Sequence, residues 1–301
     1  MKFDKFFNEN SLYESGAIEE VVAALRQKGL IYEKEGATWF KATKAGRDQD
    51  RVIIKSSGEP TYRLPDIAYH RNKFERGYDL IVDVLGADHM DAYPDVLAGI
   101  EQLGYDTNKV KVLIHQFVTL MEKGEPVKMS TRKAQYITLD ELIDEVGQDV
   151  VRYFFIMRGM NTHLNFDMDL AKDESDENPV YYLQYAHARL CNILKHAETQ
   201  GYKLDENIDL TPLTLDSEIN LIKLLLEFPN IIEKTKDNLE PQSIANYLQS
   251  LAGMFHKYYA KERVVTEDTD KTAARLVLVK ALQIVLSNGL SVLGIHAPEK
   301  M

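Results

Sequence analysis

DLIVDVLG at residues 79–86, DAYPDVLAGIEQLG at 91–104 and KVKVLIH at 109–115 decide the fold of the first half of this chain. The outer stretches are short apolar runs rich in β-branched residues and read as buried strands, while the middle one carries a helical apolar period. A strand, a helix and a second strand at this spacing form a βαβ unit, whose strands are parallel and whose crossover is right-handed. Ligands of such sheets sit beyond the carboxyl ends of the strands, and Gly86-Ala87-Asp88-His89 lies at such an end.

Upstream, residues 15–28 predict a helix with Ile18, Val21, Val22 and Leu25 on one side and Gly29 as its stop. Two hairpins are expected next: LIYEK and TWFKA around Glu35-Gly36, then RVIIKS and TYRL around Ser57-Gly58. Pro65 can open a helix through IAYHRNKFER that stops at Gly77. Downstream of the βαβ unit, the polar segment EKGEPVKMSTRKAQ precedes a helix opened by Thr138 with Glu141 three places on, a capping box, and closed near Gly147. From about residue 149 the strand signals stop. Acidic KDESDEN ends in Asn178, a cap for a helix with Pro179 in its first turn. Helices are expected at 179–198, 217–238 with a kink at Pro229, 241–262 and 271–293; the last is apolar nearly all round, as a central bundle helix should be.

Composition narrows the function classes. A chain of 301 residues with 45% hydrophobic content exceeds what one core usually serves, so two domains are expected. One cysteine, Cys191, excludes an internal disulfide and a thiolate-rich zinc site, and points to a reducing, cytoplasmic setting. No uninterrupted apolar run has membrane-span length. The net charge of −11 excludes a surface that binds nucleic acid throughout, so an RNA partner has to be carried by local residues.

The basic, hydroxyl-bearing loop Lys128-Met129-Ser130-Thr131-Arg132-Lys133 suits a polyphosphate, because phosphoryl and nucleotidyl transfer depend on cations placed where charge develops. KMSTR resembles the KMSKS signature of class I aminoacyl-tRNA synthetases. The words around it narrow the resemblance to the arginine enzymes: PTYRLPDIAYHRNKFERG, VLGADHMDAYPDVLAGIEQLGY, EPVKMSTRKAQYITLDELIDEVGQDVVRYFF, LNFDMDLAKDESDENPVYYLQYAHARL and the terminal LGIHAPEKM. The similarity runs along essentially the whole chain.

The resemblance implies an α/β fold, a partial nucleotide-binding (Rossmann-like) parallel sheet, followed by an all-α helical anticodon-binding bundle. It divides the chain into the second half of a class I catalytic domain at 1–147, a helical connector at 148–177 and a DALR-type anticodon-binding domain at 178–301. It implies a ligase of protein biosynthesis that uses ATP with Mg²⁺, without a structural metal, to form arginyl-adenylate and pass arginine to its tRNA. Tyr62 and Asp66 match the arginine pocket, where a carboxylate can take two parallel hydrogen bonds from a guanidinium. Asp88 is assigned to arginine or to ATP; Gly86, His89, His115 and Gln116, with Lys128, Met129 and Ser130, are expected to border ATP. Catalytic cations are expected from Lys128, Arg132 and Lys133 with the Ser130 hydroxyl, since Thr131 stands where the usual signature has its second lysine.

On the helix at 179–198, Leu183, Ala186, Leu190, Ile193, Leu194 and Ala197 form a core stripe, and Tyr182, Tyr185, Arg189 and Asn192 a second one. Aromatic faces and a guanidinium can stack on unpaired bases and hold phosphate. The resemblance implies that Tyr182, Tyr185 and Arg189, with Met301 at the chain end, meet the anticodon loop of an arginine tRNA. The family's HIGH signature is missing, and none of the eight histidines lies in an HxGH arrangement. The chain is therefore expected to begin inside a catalytic domain, to be inactive alone, to partner the missing N-terminal half of the same enzyme, and to expose a sheet edge and apolar patch. A cysteine-type synthetase is excluded by the single cysteine; a non-catalytic tRNA-binding module derived from such an enzyme, or a nucleotide-binding regulator, remains open.

Overall fold

In the computed structural model, residues 2–127, 137–205 and 207–301 are described. They form two compact units, Met1–Phe117 and Val118–Met301. The loop expected to bind phosphate, Lys128, Met129, Ser130, Thr131, Arg132 and Lys133, lies outside the described residues.

The first unit runs α1 (Asn10–Glu14), α2 (Ala17–Gln27), β1 (Ile31–Lys34), β2 (Ala37–Phe40), β3 (Arg51–Ile54), α3 (Arg63–Glu75), β4 (Ile81–Gly86), α4 (Tyr93–Leu103) and β5 (Val110–His115). Helix α2 buries Ile18, Val21 and Leu25, the predicted stripe. The β1–β2 hairpin pairs Ile31 with Phe40 and Lys34 with Ala37. Its two-residue turn puts Glu35 at φ 54° and Gly36 at φ 74°, the left-handed pair that matches strand twist. Leu25, Phe40, Ile53, Leu64, Ile67, Val96 and Ile100 share one core. Helices α3 and α4 approach closely at Gly99, where a Cβ would lie 2.6 Å from Ile67 Cδ1.

The second predicted hairpin is only half present. The chain turns at Ser57-Gly58, with Lys55 N donating to Glu59 O at 2.8 Å, but TYRL forms no strand. Pro60 has no N–H to extend a ladder, and the Thr61 hydroxyl donates to Val52 O at 2.9 Å, after which Tyr62 takes helical dihedrals and α3 starts at Arg63. The βαβ unit is confirmed: β4 and β5 are parallel, with Gly86 opposite His115. Its strands are not fully buried as expected. Ile81 and Asp83 face the core of the unit, whereas Val82 and Val84 are exposed.

The second unit runs β6 (Val118–Glu122), β7 (Glu125–Pro126), α5 (Leu139–Val146), α6 (Gln148–Ile156), β8 (Leu164–Asp167), α7 (Met168–Lys172), α8 (Pro179–Thr199), α9 (Asp216–Asn238), α10 (Gln242–Tyr259) and α11 (Thr269–Val292). The Thr138–Glu141 capping box forms, with Thr138 N donating to Glu141 Oε2 at 2.7 Å and Glu141 N to Thr138 Oγ1 at 3.2 Å. Asn178 caps α8, accepting from Val180 N at 3.0 Å. Strand signals do not stop at 149: β8 pairs in parallel with β6, Val118 opposite Leu164, and turns Leu164 and Phe166 inward. Leu120, Leu142 and Phe166 pack in one core with Leu183, Leu248 and Leu282, so residues 118–127 and 137–147 fold with the helical bundle.

Helix α11 has the length and apolarity to cross a membrane, but half of that window is buried against the bundle. It also carries Arg275, which donates from Nε to the fully buried Glu218 at 2.7 Å and from Nη2 to Glu262 at 3.1 Å. A buried carboxylate answered by a guanidinium and by the Tyr258 hydroxyl (3.2 Å) locks α9, α10 and α11 together and marks α11 as a core helix.

Candidate functional site

Tyr62 caps α3 and Asp66 sits one turn on, its N–H donating to Tyr62 O at 3.2 Å. The Tyr62 ring is exposed, and the Arg63 guanidinium lies 4.7 Å from its centroid. Among the described residues no group donates a hydrogen bond to the partly buried Asp66 carboxylate. Burial pushes its pKa above the ordinary 3.8, opposed by His70, His89 and Lys73 and reinforced by Glu9. The influence of His89 links α3 to the segment after β4, where Ala87–His89 make a single 3-10 turn. Asp88 and His89 are exposed there, Oδ2 to Nε2 at 3.9 Å. Gly86 has an ordinary extended backbone, and its missing Cβ leaves room for Asp88 Oδ1, which would lie 2.6 Å away; this carboxylate, rather than a ligand, uses the glycine. His115 ends β5 opposite Gly86 and shares a 2.9 Å hydrogen bond with Gln116 O.

Two clusters beneath α3 leave no local signal in the sequence. Asp83, on the inner face of β4, holds His70 Nε2 at 2.6 Å and Lys73 Nζ at 2.5 Å; burial alone would raise its carboxyl, but its contacts with His70 and Lys73 hold it down to about 2. His70 Nδ1 in turn meets Asp66 O at 2.8 Å. Asp95 on α4, 1% exposed, accepts from Arg51 Nε at 2.7 Å, Arg47 Nε at 3.0 Å and Arg63 Nε at 3.0 Å. Burial again opposes ionisation, and the three guanidiniums overcome it, keeping this carboxyl below its ordinary range. In sequence, Asp95 looks like a first-turn helix acid, and the partners that reveal it stand 32 to 48 residues away.

The second unit carries a separate groove of about 820 Å³ bordered by Tyr185, Arg189, Asn192, Tyr259 and Met301. The Arg189 guanidinium lies 4.4 Å from the Tyr185 centroid and 5.7 Å from that of Tyr259, and it bonds the Tyr185 hydroxyl. The chain end reaches the groove because α8 holds it: His187 Nδ1 donates to Pro298 O at 2.8 Å and Gln184 Nε2 to His296 O at 3.0 Å. Tyr182 does not border the groove. It packs on His256, ring centroids 4.7 Å apart, and burial raises its pKa. His256 also stacks under Tyr185 at 5.9 Å; burial, then the nearby Arg189, lower its pKa, so it favours the neutral ring. Tyr259 and His256 are contacts that the α8 stripe alone could not reveal. Among the described residues no cluster of three or more His, Cys, Asp or Glu side chains is placed to hold a metal ion.

Comparison with known proteins bears on both units. The family described as tRNA synthetases class I (R), catalytic domain, matches residues 2–174, and the DALR anticodon binding domain matches 183–301. An arginine–tRNA ligase of Desulfotalea psychrophila is 54% identical over 99% of this chain, and one of Salinibacter ruber 52% identical over 99%. The chain spans about half the length of these relatives, 54% and 53%. A solved structure from Campylobacter jejuni, described as an arginyl-tRNA synthetase, superposes with a TM-score of 0.90 at 34% identity, covering 100% of this chain and 65% of its own. The Thermus thermophilus arginyl-tRNA synthetase shares the fold, with a TM-score of 0.82 at 23% identity over 96% of this chain and 59% of its own.

The Asp83 cluster predicts an acid-sensitive fold. A depressed carboxyl stabilises above its ordinary pKa of 3.8 and loses that contribution as pH falls through the folded value of about 2. Asp83→Asn is expected to remove roughly 2 kcal/mol of stability at neutral pH, with the gap from the parent closing between those values. Urea titrations across that range check it; a gap that does not change with pH contradicts the assignment.

Proposed function

The chain belongs to the arginyl-tRNA synthetase family, and from that premise we propose that it serves the ATP-dependent activation of arginine and its transfer to arginine tRNA, in the cytoplasm. The observation that carries the reading is Asp66, a partly desolvated carboxylate with no donor among the described residues, one helical turn from the exposed Tyr62. Removing a carboxylate from water is costly unless a cation returns, and a planar guanidinium returns two parallel hydrogen bonds. Asp88 and His89, exposed after β4, stand ready to meet ribose hydroxyls or an ammonium group, with His115 and Gln116 at the adjacent strand end. Mg²⁺ would arrive on the triphosphate, bound mainly by phosphate and water oxygens. Lys128, Met129, Ser130, Arg132 and Lys133 keep the phosphate-facing role that their resemblance to the signature loop gives them. The division into a catalytic part at 1–147, a connector at 148–177 and a tRNA-binding part at 178–301 is functional, and differs from the packing units because β6–β8 fold onto the bundle.

In the bundle, the Tyr185–Arg189–Tyr259 face with Asn192 and Met301 supports contact with unpaired tRNA bases: aromatic planes stack and the guanidinium holds phosphate. Tyr182 contributes by fixing His256 beneath Tyr185. A second reading, a tRNA-binding module without catalysis, is favoured by one observation: the two-stranded parallel sheet leaves Val82 and Val84 open. The same open face supports a catalytic site that needs further strands, supplied by the N-terminal half.

Isothermal titration of arginine into the chain is expected to show binding that Asp66→Asn weakens by about 2–5 kcal/mol, with citrulline, neutral and nearly isosteric, failing to bind. Binding should fade as pH falls through the raised Asp66 value, which lies above 3.8, since only the carboxylate accepts both bonds. Because ionised Asp66 costs stability as pH rises through that window, the asparagine variant should fold at least as well as the parent at neutral pH. Equal affinity for citrulline would remove arginine from the proposal. In fluorescence anisotropy at fixed salt, arginine tRNA should bind more tightly than an unrelated tRNA, and Arg189→Ala should cost about 1–3 kcal/mol; no loss would take the groove out of the interface. The pure chain should give no arginine-dependent exchange of pyrophosphate into ATP. Exchange that appears on adding the N-terminal half supports the enzyme, and persistent silence supports the module.

A further inference from the structure

Among the described residues no cation forms an ion pair with Asp66, although an arginine stands on the same helix turn. Arg63 and Asp66 are three residues apart on α3, a spacing at which a guanidinium and a carboxylate meet across a helix surface. Arg63 turns elsewhere: its Nε donates to Asp95 Oδ2 at 3.0 Å. That carboxylate, buried on α4, also takes Arg51 Nε at 2.7 Å and Arg47 Nε at 3.0 Å, and Arg51 Nη2 reaches Asp48 at 2.8 Å. The held Arg63 guanidinium lies over the Tyr62 ring, so it borders the same helix turn that presents Asp66. One buried anion thus gathers three cations from the loop before β3, from β3 and from α3, while Asp66 nearby has no ion-pair partner among the described residues.

We propose that Asp95 is a specificity-determining positioning residue: it sequesters Arg63, so that the protein's own guanidinium does not close on Asp66 and take the place of the substrate's. The competing group is chemically the same as the ligand and is tethered beside the pocket, where its effective concentration far exceeds that of any free amino acid. A released Arg63 would leave only a fraction of molecules open, and the apparent affinity for arginine falls by that fraction. The inference rests on the reading of Asp66 as the guanidinium acceptor.

The test is arginine binding by isothermal titration, with thermal melting of each variant as a check on folding. Asp95→Asn is expected to weaken binding about tenfold, and adding Arg63→Gln to that variant to restore it to within about threefold of the Arg63→Gln protein alone. A purely structural role for Asp95 predicts the opposite: loss without rescue, which would overturn the proposal. Arg51→Gln breaks a still shorter bond in the same cluster but frees no cation on α3. It should leave arginine affinity within about twofold, and weakening of about tenfold would also overturn the proposal, whether or not Asp95→Asn folds. Asp66→Asn keeps the two claims apart. If it leaves arginine binding unchanged, the pocket reading fails; if it abolishes binding while the double variant shows no rescue, the pocket stands and the sequestration falls.

Discussion

A carboxylate withdrawn from water must be answered by a cation or by several donors, or the fold carries several kilocalories per mole of uncompensated charge. Asp83, Asp95 and Glu218 obey this from within the chain. Asp83 takes His70 and Lys73, Asp95 takes three arginines, and Glu218 takes Arg275 with the Tyr258 hydroxyl. Each cluster joins elements that are remote in sequence, and each therefore fixes geometry as well as charge. Helix α3 is held from two sides in this way, by Asp83 through His70 and Lys73 and by Asp95 through Arg63. On that immobilised helix Asp66 is the carboxylate whose partial burial is answered by no hydrogen-bond donor among the described residues, and a rigid support is what lets such a group persist instead of relaxing toward solvent or an internal partner.

What was legible in the sequence is what local chemistry decides. The Glu35-Gly36 turn, the Thr138–Glu141 box, the Asn178 cap and the βαβ unit all depend on residues within a few positions of one another, or on a period that repeats within one element. The failures are non-local. LNFD at 164–167 becomes a strand because β6 offers a parallel edge 46 residues earlier, and four residues of alternation do not announce that partner. TYRL has strand-like residues, yet the missing N–H of Pro60 and the hydroxyl of Thr61 end the ladder and let a helix begin. The strand within 79–86 is buried on one face only, and a short apolar run does not say whether both its faces are covered.

The candidate site divides along the same line. Tyr62 with Asp66, and Tyr185 with Arg189 and Asn192, could be paired from helical spacing, because each set lies on one helix. Asp95, Tyr259 and His256 could not, because each acts on those residues from another element. Asp95 is the instructive case. In sequence an acid in the first turn of a helix has a complete local explanation, the favourable interaction with the helix dipole, and nothing prompts a search for a second. Burial supplies the prompt: at 1% exposure the dipole alone would not offset desolvation, so guanidinium partners had to be near.

The bundle resolves a tension present in the composition. A chain with net charge −11 repels a polyanion at long range, so any affinity for RNA has to be short-ranged. Stacking meets that requirement because it needs contact and no net field. The groove suits that proposed contact because Arg189 is already placed over Tyr185 and near Tyr259, so it would lose little rotamer freedom on binding. His256 strengthens the arrangement by staying neutral: a second fixed charge under Tyr185 would repel Arg189, and burial makes that charge costly. If the bundle meets RNA as proposed, an acidic surface with a preorganised cationic and aromatic groove would discriminate better than a basic one, because unspecific phosphate attraction is removed from every competing RNA while the local contacts remain for the one whose loop fits.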